Sequence, residues 1–239
     1  MAVRKQPRWY FSLRSPYSWF AYRELVENHP DVLASIEWIP YWEPNPQTQL
    51  RLEQAGVELP IAEMCRAKNF YILQDTRRWA QARGWTMNWP VDRDPVWEVA
   101  HLGYLVAADA GKGSEYVAAA YRARWHDSRD LSDRSTIAKI ARELDLDPDA
   151  VANACDNPEI QARGLALLTR AADDDAFGVP FFVVKRQKFW GVERVAAFVA
   201  AVREAMPAEA VEVLEPRGPM PLALAGGRTA DLGHAGGCG

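Results

Sequence analysis

Cysteine is scarce in this chain. Its 239 residues hold three, Cys65, Cys155 and Cys238, an odd number at wide spacings. Such a set is no disulfide framework, and with neither a CxxC pair nor a Cys/His cluster it supplies no ligand set for zinc or an iron–sulfur centre. Long apolar runs are missing too, since nothing approaches the ~18 apolar residues of a membrane-spanning helix. The stretch from Met1 to Pro7 is basic, but the apolar run behind it is cut by Arg14 and carries no small-residue cleavage signal, so it does not read as a signal peptide. An excess of either charge is also lacking. A net charge of -4 gives no overall basic footprint for nucleic acid and no acidic, solvating character. The expectation is a reduced, cytoplasmic, soluble protein that binds neither nucleic acid nor membrane.

What the chain does have is aromatic bulk. Ten Trp stand beside eight Tyr and eight Phe in a composition that is 49% hydrophobic and 25% charged, which is globular. The length is generous for one ordinary domain and short for two, which suggests one elaborated domain or a small domain carrying a large insertion.

Trp9 to Leu13 is a short aromatic and aliphatic run that reads as a buried strand. Ser15-Pro16 then opens a helix, a preferred cap followed by proline at the first position, and Trp19, Tyr22 and Val26 recur at helical spacing until His29-Pro30 stops it. A second strand is expected over Ser35 to Ile39. From Pro44 to about Asp173 the β-branched runs vanish, and helical periodicity marks 61–83, 96–111, 114–126, 133–144 and 157–172. After Gly178-Val179-Pro180 the pattern reverts. Phe181 to Val184 and Phe189-Trp190 read as a hairpin around Lys185 to Lys188, and a helix is expected over Val192 to Ala205 with Glu193 in its first turn. Beyond Gly218 the chain is glycine-rich with little to bury.

A β-α-β unit and a β-β-α unit separated by helices describe an α/β protein, a thioredoxin-like domain with a large all-helical insertion. The expected division is 8–43 plus 174–206 for the thioredoxin-like part, 44–173 for the insertion, and 207–239 for a largely disordered tail. Several motifs then fall in register. They are Phe11-Ser12-Leu13-Arg14-Ser15-Pro16-Tyr17-Ser18-Trp19; Lys68 with Tyr71, Asp75 and Arg78-Trp79; Tyr121 to Trp125 with Arg129-Asp130-Leu131-Ser132-Asp133; and Phe177-Gly178-Val179-Pro180 with Phe189-Trp190-Gly191. On these residues the sequence resembles the DsbA-like superfamily, in the branch holding 2-hydroxychromene-2-carboxylate isomerases and kappa-class glutathione transferases.

The resemblance implies a site. Redox members open the first helix with Cys-Pro-x-Cys, whereas both positions are serine here, Ser15 and Ser18, which excludes dithiol chemistry. A serine hydroxyl is too weak an acid to act as a free nucleophile without a base, but it can donate a hydrogen bond to a thiolate at a helix N-terminus. That is the role the family gives the residue matching Ser15, with glutathione as the thiol. Val179-Pro180 matches the family's cis-proline, whose neighbouring backbone pairs with the cysteinyl part of glutathione. Lys68 matches a lysine that pairs with a carboxylate. At the γ-glutamyl end the family has a polar residue followed by Asp, where this chain has Val192 and Glu193, and an asparagine of many relatives falls near Gly56-Val57-Glu58, where no amide stands.

Tyr17, Ser18, Trp85, Trp89 and Trp97 are the expected substrate pocket, since planar aromatic walls suit a flat ligand. The 85–97 loop is its best candidate. His101 and His126 lack metal spacing and read as helix-surface histidines, and Arg77-Arg78 and Arg122 to Arg124 as solvated basic faces. By family analogy the expected activity is thiol-dependent isomerisation of an aromatic, carboxylated or enone-bearing compound, using glutathione or another low-molecular-weight thiol and no metal, in a homodimer. The alternatives are a kappa-like glutathione transferase and a thiol-independent binding protein on the same scaffold.

Overall fold

The computed structural model describes residues 6–61 and 64–205. The first aromatic run becomes β1 (Arg8–Phe11), buried along its whole length. Ser15 caps α1 (Pro16–Asn28) by accepting the Ser18 N–H, with Pro16 in the first turn. His29-Pro30 ends that helix as expected, but Pro30 also opens a second one, α2 (Pro30–Ser35). A proline fixed near helical φ is as good at a first position as it is bad in an interior. β2 (Glu37–Pro40) follows, parallel to β1.

The helical stretch contains α3 (Pro46–Gln54), α4 (Arg66–Ala82), α5 (Trp97–Asp109), α6 (Gly113–Trp125), α7 (Arg134–Glu143), α8 (Pro148–Ala152) and α9 (Pro158–Asp173). Periodicity misses α3 and α8, which are short, although each opens on a capping side chain followed by proline, Asn45-Pro46 and Asp147-Pro148. β3 (Phe181–Val184) then runs antiparallel to β1, and β4 (Gln187–Trp190) antiparallel to β3. The hairpin turn is tighter than the sequence suggests. Gln187 and Lys188 pair with Val184 and Val183, leaving Lys185-Arg186 to turn, with Lys185 at φ 56°.

Gly191, at φ 96°, redirects the chain into a 3-10 turn, Val192–Arg194, before α10 (Val195–Ala205), so the last helix starts three residues later than its apolar pattern suggests. Strand order is β2-β1-β3-β4. This is the α/β, thioredoxin-like arrangement with helices inserted between β2 and β3. The 207–239 tail lies outside the described residues.

One core runs through sheet and helices. Trp9 stacks on Phe182 at 6.3 Å, and Phe182 on Phe198 of α10 at 4.5 Å. Phe11 meets Tyr104 of α5 edge-on at 5.2 Å, which joins the sheet to the inserted helices. A polar clasp closes the seam. Buried Arg8 grips Asp174 through two bonds of 2.8 Å, Tyr10 donates its hydroxyl to the same carboxylate, and Arg170 forks onto Glu37 at 2.6 Å twice. Burial and the neighbouring Asp174 keep the Tyr10 hydroxyl protonated far above ordinary pH.

The helices pack closely against rigid groups at Gly103. A Cβ there would lie 2.8 Å from the Tyr116 hydroxyl and 3.0 Å from the Val151 carbonyl oxygen. Gly103→Ala gains about 1 kcal/mol of helix propensity but forces a backbone carbonyl and a bonded hydroxyl apart, an overpacking cost of about 1–3 kcal/mol. The clash wins because Tyr116 already donates to Ala100 at 2.8 Å and has no slack. Gly103→Ala is expected to lower stability by up to about 2 kcal/mol in urea denaturation; a variant more stable than its parent would show that α8 yields freely.

Candidate active site

The loop Ser12 to Ser15 leaves the buried end of β1 and must satisfy its polar backbone without water. Each connection is identifiable. Ser18 Oγ accepts the Ser12 N–H at 3.2 Å, and Ser12 Oγ accepts the Arg14 N–H at 3.3 Å. The Ser12 carbonyl takes the Tyr121 hydroxyl at 3.1 Å and the Ser15 N–H at 3.2 Å. Arg124 Nε reaches the Arg14 carbonyl at 3.3 Å. Leu13 N–H donates to His101 Nε2 at 2.9 Å, while His101 Nδ1 lies 2.7 Å from the Trp97 carbonyl. A carbonyl can only accept, so Nδ1 carries the proton and Nε2 offers its lone pair to the loop.

His101 is therefore no surface histidine. It is fully buried, stacked at 5.6 Å on Trp42, and its burial pushes its pKa down to about 4, helped by the positive charges of Arg124 and Arg14. The signal was in α5 itself, whose Trp97, Val99, Ala100, Leu102, Tyr104, Leu105 and Ala107 are buried all round. A helix with no polar face has no surface on which to place a histidine. Arg124 likewise departs from the solvated face expected of it. It is buried, forks onto Asp92 with two bonds of 2.8 Å, and lies over Trp97 at 5.0 Å. Arg122 does stay exposed, paired with Glu143.

This framework presents Ser15 to a cleft of about 360 Å³, its open mouth included, lined also by Arg14, Tyr41, Trp42, Glu43, Phe177 and Val179. The Val179-Pro180 bond is cis. Ser15 itself is buried, and its Oγ accepts the Ser18 N–H at 3.3 Å while no acceptor among the described residues takes its own proton. The expected Ser15 and Val179 thus meet, 164 positions apart in sequence. Sequence reasoning missed Tyr41 and Glu43, which sit just after β2 and carry no motif; only the fold brings that loop to the head of α1.

The other expected residues lie elsewhere. Ser18 is fully buried beneath the loop rather than on a pocket wall, and Tyr17 docks α1 on α4 through Asp75 at 2.8 Å. Trp85 packs against Trp19 and Phe20 with Arg23 4.0 Å from its ring, and Trp89 meets Trp125 at 5.6 Å. Trp97 is buried beneath Arg14 and Arg124. None of these lines the cleft, because large rings gain most by packing on one another. Lys68, in the first turn of α4, is half-buried and outside the cleft lining.

The centre of the site carries groups of the kind a thiol-bearing peptide would need. The Ser15 hydroxyl, the positive end of α1 and the backbone beside the cis-proline suit a sulfur anion on an extended chain. The ends fit less well. Val192 is buried, and exposed Glu193 folds its carboxylate back against Gly191.

Comparison with known proteins agrees with the fold. The sequence model of the family described as DSBA-like thioredoxin domain matches residues 8–203. A 2-hydroxychromene-2-carboxylate isomerase from Sphingobium xenophagum is 26% identical over 187 residues, 78% of this chain and 92% of that protein. A solved 2-hydroxychromene-2-carboxylate isomerase superposes with a TM-score of 0.63 at 18% identity, covering 83% of this chain and 95% of its own. No helix among the described residues is long and apolar enough to cross a membrane.

The buried histidine makes stability pH-dependent. Between its ordinary 6.5 and about 4, the unfolded chain binds a proton that folded His101 refuses, so stability falls as pH falls through that window. Urea midpoints measured from pH 7 to 4 should decline, and His101→Gln, which keeps an acceptor but cannot titrate, should decline less steeply; equal slopes would place the titration elsewhere.

Proposed function

The chain belongs to the DSBA-like thioredoxin family, and from that membership we propose that it is a thiol-dependent isomerase of an unsaturated aromatic small molecule, with Ser15 holding the thiol. One observation carries the reading. At the head of α1 a buried serine hydroxyl, one lone pair taken by the Ser18 N–H and its proton uncommitted among the described residues, faces the same cleft as the backbone beside the cis-proline. The curated relative is named for such an isomerisation, which supports the substrate class.

A bound low-molecular-weight thiol, glutathione or a smaller one, would supply the nucleophilic sulfur that adds reversibly to an activated double bond. The protein's part is orientation and charge. Ser15 donates to a developing anion from a fixed position, and the α1 dipole adds a positive end to the same spot. Ser18, by accepting the Ser12 N–H and donating its own N–H to Ser15 Oγ, fixes the direction in which that donor points. Val179 offers main-chain groups to an extended ligand, Lys68 a charge for a carboxylate if α4 brings it closer, and Val192 and Glu193 a backbone N–H and a carboxylate for an ammonium group. Phe177, at the rim, and Trp42 present ring surface to a flat substrate. Catalysis of this kind needs the reacting atoms aligned more than it needs a strong base.

A thiol-independent binding protein is the second reading, and the placement of Val192, Glu193 and Lys68 favours it: the three groups that would grip the ends of glutathione stand outside the cleft lining. A conjugating transferase would share the Ser15 chemistry and differ in product.

Calorimetric titration of the purified protein with glutathione, cysteine and 2-mercaptoethanol, alongside turnover of 2-hydroxychromene-2-carboxylate, separates these. Ser15→Ala should cut thiol-dependent turnover by roughly ten- to a thousandfold, the size of one preorganised donor, at a cost to stability of about 1 kcal/mol for the lost cap. Unchanged turnover would move the chemistry away from Ser15. Glu193→Gln should weaken glutathione but not 2-mercaptoethanol, which has no ammonium group; equal effects on both would remove Glu193 from the site.

A further inference from the structure

We propose that Glu43 is an internal stand-in for a ligand carboxylate, holding Arg14 until a carboxylated aromatic molecule entering the cleft takes its place. This rests on reading the Ser15 cleft as the ligand site, and it names the group that selects the ligand there.

The Arg14–Glu43 ion pair is lopsided. The Arg14 side chain is only 11% exposed and is held from several sides: its guanidinium lies 5.3 Å from the centre of the Trp97 ring, its N–H is bound by Ser12 Oγ, and its carbonyl by Arg124. Glu43 is 45% exposed, on the loop between β2 and α3, and Arg14 is the partner the structure shows for its carboxylate. A buried guanidinium is strongly disfavoured without a carboxylate, whereas an exposed carboxylate loses little on returning to water. Exchange of one carboxylate for another at Arg14 is therefore nearly balanced, and the partner that leaves is Glu43.

A second feature points to a ligand at the same place. Tyr41, 5% exposed, lines the cleft with a hydroxyl that has no hydrogen-bond partner among the described residues, and the Nε1–H of neighbouring Trp42, 2% exposed and also lining it, has none among them either. Buried donors are nearly always paired. An incoming group with acceptor oxygens beside Arg14 would meet the Tyr41 hydroxyl, while the Trp42 and Phe177 rings flank the cleft. A guanidinium, a phenolic hydroxyl and aromatic walls together describe a site for an aryl carboxylate.

The test needs no thiol, so it is separate from the isomerase assay. Affinities of 1-naphthoate and its uncharged analogue 1-naphthamide are measured by calorimetry on the full chain. The unmodified protein should prefer naphthoate. Glu43→Gln, by removing the competitor, should bind naphthoate roughly three- to tenfold more tightly while leaving naphthamide unchanged, a range set by the worth of a half-exposed pair. Arg14→Gln should abolish the preference, and Tyr41→Phe should weaken naphthoate. Naphthoate binding that is unchanged or weaker in folded Glu43→Gln overturns the proposal. Should that variant fail to fold, a crystal structure of the unmodified protein with naphthoate decides: the ligand carboxylate on Arg14 with Glu43 turned out supports exchange, and an intact Arg14–Glu43 pair overturns it. Loss of thiol dependence in the isomerase assay alongside intact naphthoate exchange would sink the thiol reading alone.

Discussion

The turn from β1 into α1 carries its main chain through the protein interior, and its hydrogen bonds must be met there by side chains from elsewhere. Water cannot help, because an unpaired main-chain group in the core costs as much as a lost hydrogen bond. Ser18 comes from the first helix, His101 from α5, Tyr121 and Arg124 from α6. Everything that gives Ser15 a defined direction follows from that set. So does the protonation of His101: a charged imidazole would present a second donor to the Leu13 N–H, and repulsion would replace the bond.

The same arrangement explains why charge gathers behind the cleft. Arg14 and Arg124 both lie close to the Trp97 ring, each with its own carboxylate, Glu43 and Asp92. The two pairs differ in exposure. Asp92 is as buried as its arginine and makes a static strut, whereas Glu43 looks out to solvent. Position, more than residue type, divides an ion pair that fastens the loop from one able to exchange. At the far end of β1 the Arg8, Asp174, Tyr10, Arg170 and Glu37 cluster ties the exit of α9 to the sheet, so the helical stretch is fastened both where it meets the site and where it returns.

Much of this was legible in residue order. Ser-Pro at the head of α1, the aromatic strand before it, the helical middle and Val179-Pro180 at the return are local signals, written in neighbouring residues, and they placed the sheet and two of the cleft's walls. What escaped was set by partners distant in sequence. His101 looked like a surface histidine because a single position has no face until its whole helix is weighed. Trp85 and Trp89 looked like a pocket because aromatics between polar residues read alike whether they line a cleft or seal a core. Tyr41 and Glu43 had no pattern at all; they belong to the site only because β2 lies parallel to β1 and delivers the following loop beside Ser15.

The helical stretch between β2 and β3 invites comparison with an accessory that could be exchanged among scaffolds. The bonds that hold the Ser12 to Ser15 turn argue otherwise, for three of the four side chains that reach it from outside, His101, Tyr121 and Arg124, reside in it. A minimal version trimmed to the sheet and its flanking helices would expose or strand those main-chain groups, and a graft of unrelated helices would have to reproduce an acceptor, a hydroxyl and a guanidinium at matching places. The two parts are bound to diverge together, and transplanting this site means transplanting both.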